Sequence, residues 1–149
     1  MKIVNLALRI AITASLAASG VIHAYLYIHG YRDIPTVGPA FLLQASVFCA
    51  LAVLILAGGP GWLQLVAALG AAGSLVAFAL SRTVGLFGFI ETGWQPAPYA
   101  VITVVVEVLT LLLVGTTALR QRSRASKDIP LNRGDVDVRD PSSSPGKPG

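Results

Sequence analysis

The chain has 149 residues, 54% hydrophobic and only 12% charged, with a mean hydropathy of +0.72 and a formal net charge of +4. That composition excludes an ordinary water-soluble domain. The charge is no argument for nucleic acid: residues 1–119 hold four basic and three acidic side chains (Lys2, Arg9, Arg32, Arg82; Asp33, Glu91, Glu107), and the last thirty hold seven and four. The excess therefore belongs to the tail, where arginine beside a membrane is first a topology signal, and no nucleic-acid partner is expected.

Four apolar stretches, at residues 4–28, 37–58, 62–80 and 97–119, are each long enough to cross a hydrocarbon core of about 30 Å at 1.5 Å per residue. The expected fold is an all-α, four-helix transmembrane bundle over residues 1–119. In the first stretch Arg9, Thr13, Leu16, Gly20, His23 and Tyr27 fall within a stripe about 80° wide at 100° per residue. Lipid cannot satisfy such a stripe, so it is expected to turn inward. Arg9 interrupts the apolar run, and the run continues past Ala17-Ala18-Ser19, which makes a retained span the expectation rather than a cleaved leader. Ala7, Ala11, Ser15 and Ser19 recur every four residues and predict close helix packing within the bundle or a dimer.

The second stretch carries Gln44 and the single cysteine, Cys49. One cysteine forms no disulfide within the chain and no cysteine-spaced zinc site. Cys49 is expected to behave as a small buried hydrophobe. Gly58-Gly59-Pro60-Gly61 then makes a turn so short that stretches two and three must be antiparallel neighbours. In the third stretch Ala67 and Ala71, and Gly70 and Ser74, repeat the small-residue spacing.

The connection from Ser81 to Pro96 is apolar but broken by glycine, and it holds Glu91 and Trp94. Two readings stand side by side: a segment lying in or re-entering the membrane interface, and an ordinary packed loop. Pro98 suits the first turn of the last helix.

The fourth stretch holds Glu107, ten residues in and so near the bilayer midplane, where an ionised carboxylate is costly. Tyr99, Thr103, Glu107, Thr110 and Val114 share its face. Helix rise places Arg9 about 7 Å inside one boundary and Glu107 about 15 Å from the other, with His23 and Gln44 in the same half as Glu107. An intramembrane polar cluster of Glu107, Arg9, His23 and Gln44 is the candidate site.

From Arg120 onward the apolar pattern ends, and residues 120–149 are expected to form a disordered basic tail. Lys2 at one end, and Arg120, Arg122, Arg124 and Lys127 at the other, place both termini on the cytoplasmic side of the cell (inner) membrane, with the glycine-rich turn.

Arg9, Gly20 eleven residues on and His23 three further resemble the first helix of the DoxX-like family of small four-helix membrane proteins. The antiparallel layout and short second connection are similar too, over about the first 60 residues. The resemblance implies a membrane subunit or accessory protein, in some cases associated with quinone-linked sulfur or redox chemistry. The segment from Tyr31 to Gly38 and Glu107 fall outside it.

The leading expectation is a non-catalytic accessory or assembly subunit whose partners are the lipid bilayer and a second copy or another membrane protein. The alternatives are a proton-coupled small-molecule carrier using Glu107, and a quinone-linked redox subunit. No G-x-S-x-G elbow, phosphate loop or H-E-x-x-H motif is present, so no catalytic residue, metal or cofactor is expected. His23 and His29, six residues apart, diverge by about 120° on a continuous helix and do not pair on one haem iron.

Overall fold

The computed structural model describes residues 2–127. Four long helices follow in order: α1 (Lys2–Leu26), α2 (Val37–Leu56), α3 (Trp62–Arg82) and α4 (Tyr99–Lys127). A single wider π-helical turn, Tyr27–Tyr31, extends α1. All four are long and apolar enough to cross a membrane. The described residues form no strand beyond one isolated bridge between Leu86 and Phe89. The all-α expectation therefore holds.

The helices pack in a ring, each against its chain neighbours, with α4 closing on α1. The α1–α2 seam is the most extensive, and Gly20 explains it. A Cβ at that position would stand 3.2 Å from the Ala45 carbonyl oxygen and 3.3 Å from the Cys49 nitrogen. The missing side chain thus lets two backbones touch, as small residues do wherever membrane helices pack closely. One core cluster joins Ile12 and Leu16 of α1, Phe48, Leu51, Ala52 and Ile55 of α2, and Leu63, Ala67 and Ala71 of α3. A smaller one, of Leu26, Tyr31 and Val37, closes the opposite end.

The outward surface is apolar. Leu43, Val53, Leu69 and Leu112 are each more than 60% exposed, which in water would be a large hydrophobic patch and in a bilayer meets lipid tails. Cys49 belongs to this surface: it is exposed rather than buried. At 100° per residue it follows buried Phe48 out of the core, and only its edge packs over Gly20.

The turn after α2 is capped by Gly58 in the left-handed region (φ 89°). Its N–H donates to the Ile55 carbonyl, and the Gly59 N–H donates to the Leu54 carbonyl, so two carbonyls of the last helical turn find partners. At the far end of the chain the helix runs on to Lys127, eight residues past the expected end at Leu119. Arg120, Gln121, Arg122 and Ala125 are good helix formers, and cations in a last turn suit the helix dipole. The rest of the expected tail, 128–149, lies outside the described residues.

The connection between α3 and α4 folds back over the end of the bundle where Tyr31 lies, hereafter the loop end. Leu86 and Phe89 exchange backbone hydrogen bonds of 2.8 and 2.9 Å, and the Glu91 N–H reaches back to the Ser81 carbonyl at 3.0 Å. Phe89 meets the Tyr31 ring edge-on at 5.9 Å, and Trp94 packs on Phe78 at 5.9 Å. Val84, Phe87 and Ile90 remain exposed. The segment is thus a packed cap with apolar side chains on its free surface.

Candidate functional site

Glu107 sits eight residues into α4, about 12 Å from the loop end of the helix, and is 1% exposed. Ser19 of α1 donates to its Oε1 at 3.2 Å. One turn further along α4, the Thr110 hydroxyl donates to Ser15 Oγ at 2.8 Å, and Ser15 donates to the Ile12 carbonyl at 2.9 Å. These bonds set the antiparallel register of α1 against α4: Ser19 lies opposite Glu107, and Ser15 opposite Thr110.

His23, one turn from Ser19, is also buried. Its Nδ1 lies 2.9 Å from the Ser19 carbonyl oxygen, which accepts only, so Nδ1 carries a proton. In the neutral ring Nε2 is then the unprotonated nitrogen, and it faces Glu107 Oε1 at 4.0 Å. Carboxyl and imidazole are within a small adjustment of sharing one proton.

The register separates Arg9 from this pair. Arg9 is ten residues from Ser19, about 15 Å along α1, more than an arginine side chain spans. It lies instead at the other end of the bundle, with Thr117, Arg120 and the 58–61 turn. The expected Arg9–Glu107 proximity is corrected by that offset, because depth estimated from span boundaries left the sliding of one helix against the other undetermined. Gln44 does not join the pair either. Phe41, one turn earlier on α2, fills the space beside His23, with ring centroids 5.1 Å apart. Gln44 is half-buried, its Nε2 has no hydrogen-bond partner among the described residues, and it does not line the cavity at Glu107. His29 is exposed and stacks on Tyr25 at 4.0 Å, away from His23.

A cavity of about 100 Å³ opens between Glu107 and the loop end. That is room for several waters or a small solute. Glu107, His23, Ser74 and Thr103 line its deep end. The Thr103 hydroxyl oxygen is buried and has no protein partner among the described residues. The walls are aromatic: Phe78, and Phe41 stacked on Tyr31 at 4.5 Å and 9°.

A second polar group forms the rim. Arg82 Nη1 stands 2.7 Å from Glu91 Oε2, its guanidinium lies 4.5 Å over the Phe78 ring, and Nη2 donates to the Gln95 carbonyl. The Tyr31 hydroxyl donates to Glu91 Oε1 at 2.5 Å. Sequence alone does not mark Ser19, Thr103 or the Tyr31–Glu91–Arg82 group as site residues. Ser19 lay within the small-residue repeat, where packing masked its hydroxyl. Nothing in sequence joins Tyr31 to Glu91, 60 positions apart. Among the described residues no three of His, Cys, Asp and Glu come together in a group that could hold a metal ion.

No protein-family model matches the chain, and no solved structure matches it. A curated protein named uracil permease, from Paenibacillus larvae subsp. larvae, is 33% identical over 88 residues, which cover 54% of this chain and 21% of the permease. The chain thus spans about a fifth of the length of that relative. With the four apolar helices, the likeness identifies a small membrane protein.

Proposed function

We propose that the protein is a small membrane permeation module that binds a small, uncharged, planar solute in the cavity above Glu107. The observation that carries this reading is the placing of Glu107: buried, bonded by Ser19 and faced by His23, and open to a cavity instead of neutralised by Arg9. A carboxylate kept there at the cost of desolvation, with no Lys or Arg in contact with it among the described residues, suits proton-linked binding better than helix adhesion. Flat walls of Phe41, Tyr31 and Phe78 suit a flat solute, and Thr103, Ser74, His23 and Glu107 offer it donors and acceptors. The uracil permease likeness makes uracil the first solute to test. The site is read as one for binding, without catalysis, and both termini are placed on the cytoplasmic side of the cell membrane from the distribution of Lys and Arg.

The test is uptake of labelled uracil, and of a panel of small planar amides, into liposomes holding the purified chain alone. Uptake that disappears in Glu107→Gln, while thermal unfolding of that variant stays close to wild type, supports the reading. Uptake at the wild-type rate in Glu107→Gln would end it.

A second reading is an accessory or assembly subunit: the likeness covers 21% of the permease, so it carries no whole transport path onto this chain. The DoxX-like resemblance of α1 also belongs to this reading, as does a quinone-linked role. Purification from native membranes in mild detergent separates the two: a stoichiometric partner supports the subunit, and a homo-oligomer supports the self-sufficient module.

A further inference from the structure

At the end of the bundle opposite the Glu107 cavity, α1, the 58–61 turn, the start of α3 and the end of α4 enclose a second hollow of about 450 Å³. Three arginines line it, Arg9, Arg120 and Arg124, together with the amide side chains of Asn5, Gln64 and Gln121. No acid faces them among the described residues: the three acids there are Asp33, Glu91 and Glu107, none of which lines the hollow. Arg9 Nε is buried without a hydrogen-bond partner among the described residues. Its Nη1 lies over Gly58, where a Cβ would stand 3.1 Å away. Arg124 Nη2 donates to Asn5 Oδ1 at 3.4 Å, drawing the end of α4 towards α1.

Three guanidiniums around one hollow repel one another, and a half-buried arginine at membrane depth is costly unless an anion meets it. Guanidinium geometry matches phosphate oxygens, with two parallel N–H donors per group. Leu6 and Leu8 also border the hollow, and Leu6 is exposed on the lipid-facing surface. A ligand seated here with its charge on the arginines would lay an apolar tail along α1. We propose that this hollow seats the phosphate-bearing head group of an anionic membrane lipid. Basic pockets between helices at a membrane surface are suited to such head groups. The site is independent of the Glu107 cavity.

Trp62, exposed at the start of α3 beside Gly61, is a built-in reporter of this end, and Trp94 lies at the other. In the full-length Trp94→Phe chain, reconstituted in phosphatidylcholine vesicles, Trp62 fluorescence is titrated with brominated-chain phosphatidylglycerol or brominated-chain phosphatidylcholine. The expected result is quenching by the anionic lipid at a several-fold lower mole fraction. Arg9→Gln and Arg120→Gln each lower that preference about five-fold, equivalent to about 1 kcal/mol. Arg120 is exposed, so its substitution keeps the test valid should Arg9→Gln fail to fold. Equal quenching by the two lipids, or a preference unchanged in Arg120→Gln, overturns the proposal. So does a preference abolished by millimolar inorganic phosphate at constant ionic strength, which would assign the hollow to a soluble phosphate compound.

Discussion

Ser19 and Glu107, 88 residues apart, are joined by a 3.2 Å hydrogen bond that sets how far α1 is slid along α4. The same register turns His23 towards Glu107 and carries Arg9 away to the far end of the bundle.

That separation has a measurable signature. In double-mutant cycles of unfolding in mixed micelles, Arg9→Gln and Glu107→Gln should be additive within about 0.5 kcal/mol, as distant sites are. Ser19→Ala with Glu107→Gln should instead show coupling of about 0.5–1.5 kcal/mol, the range of hydrogen bonds between membrane helices. Ser46→Ala is the control: its hydroxyl is exposed and donates to the Leu42 carbonyl within its own helix. A coupling between Arg9 and Glu107 above about 1 kcal/mol would mean that the two side chains meet.

Gly20 is the point where α1 and α2 touch. Gly20→Ala sets a methyl group 2.8 Å from Cys49 Sγ and 3.2 Å from the Ala45 carbonyl oxygen. Destabilisation of about 1–3 kcal/mol is expected, the usual cost of overpacking. Adding Cys49→Ala should restore part of it, since the side chain can be removed and the backbone carbonyl cannot. Full restoration would mean that the carbonyl contact is not limiting.

At the rim, Glu91 accepts from Tyr31 and pairs with Arg82, whose side chain is 13% exposed. Glu91→Gln keeps the shape but removes the charge, and should cost about 2 kcal/mol, between the values for exposed and buried pairs. Tyr31→Phe should cost about 1 kcal/mol. Limited proteolysis reads the local consequence: cleavage within residues 83–98 should accelerate in Glu91→Gln well before the helices are cut. Unchanged cleavage would show that packing of Phe89 and Trp94 alone holds the cap.

The proposed orientation predicts that a fluorescent protein fused after Gly149 folds and glows, and that a cysteine placed at Thr92 reacts with a membrane-impermeant maleimide added outside intact cells. The reverse pattern would place the loop end in the cytoplasm and the three-arginine hollow outside.

Much of the architecture was legible in the chain itself. Apolar stretches of bilayer length, broken by Gly58-Gly59-Pro60-Gly61 and by the glycine-rich connection after Arg82, determined four antiparallel helices, because backbone polar groups in hydrocarbon have few other ways to be satisfied. The inward faces of Leu16, Gly20 and His23, and of Glu107 and Thr110, followed from the 100° period. Periodicity says which way a side chain points around its own axis and nothing about how far a neighbouring helix is displaced along it. That displacement comes from contacts between elements: the hydroxyls of Ser15 and Ser19 against Thr110 and Glu107, and the bare surface of Gly20 against α2. Only the tertiary structure therefore decided that Glu107 faces His23 and a cavity, that Phe41 displaces Gln44, and that Arg9 joins two arginines from the end of α4.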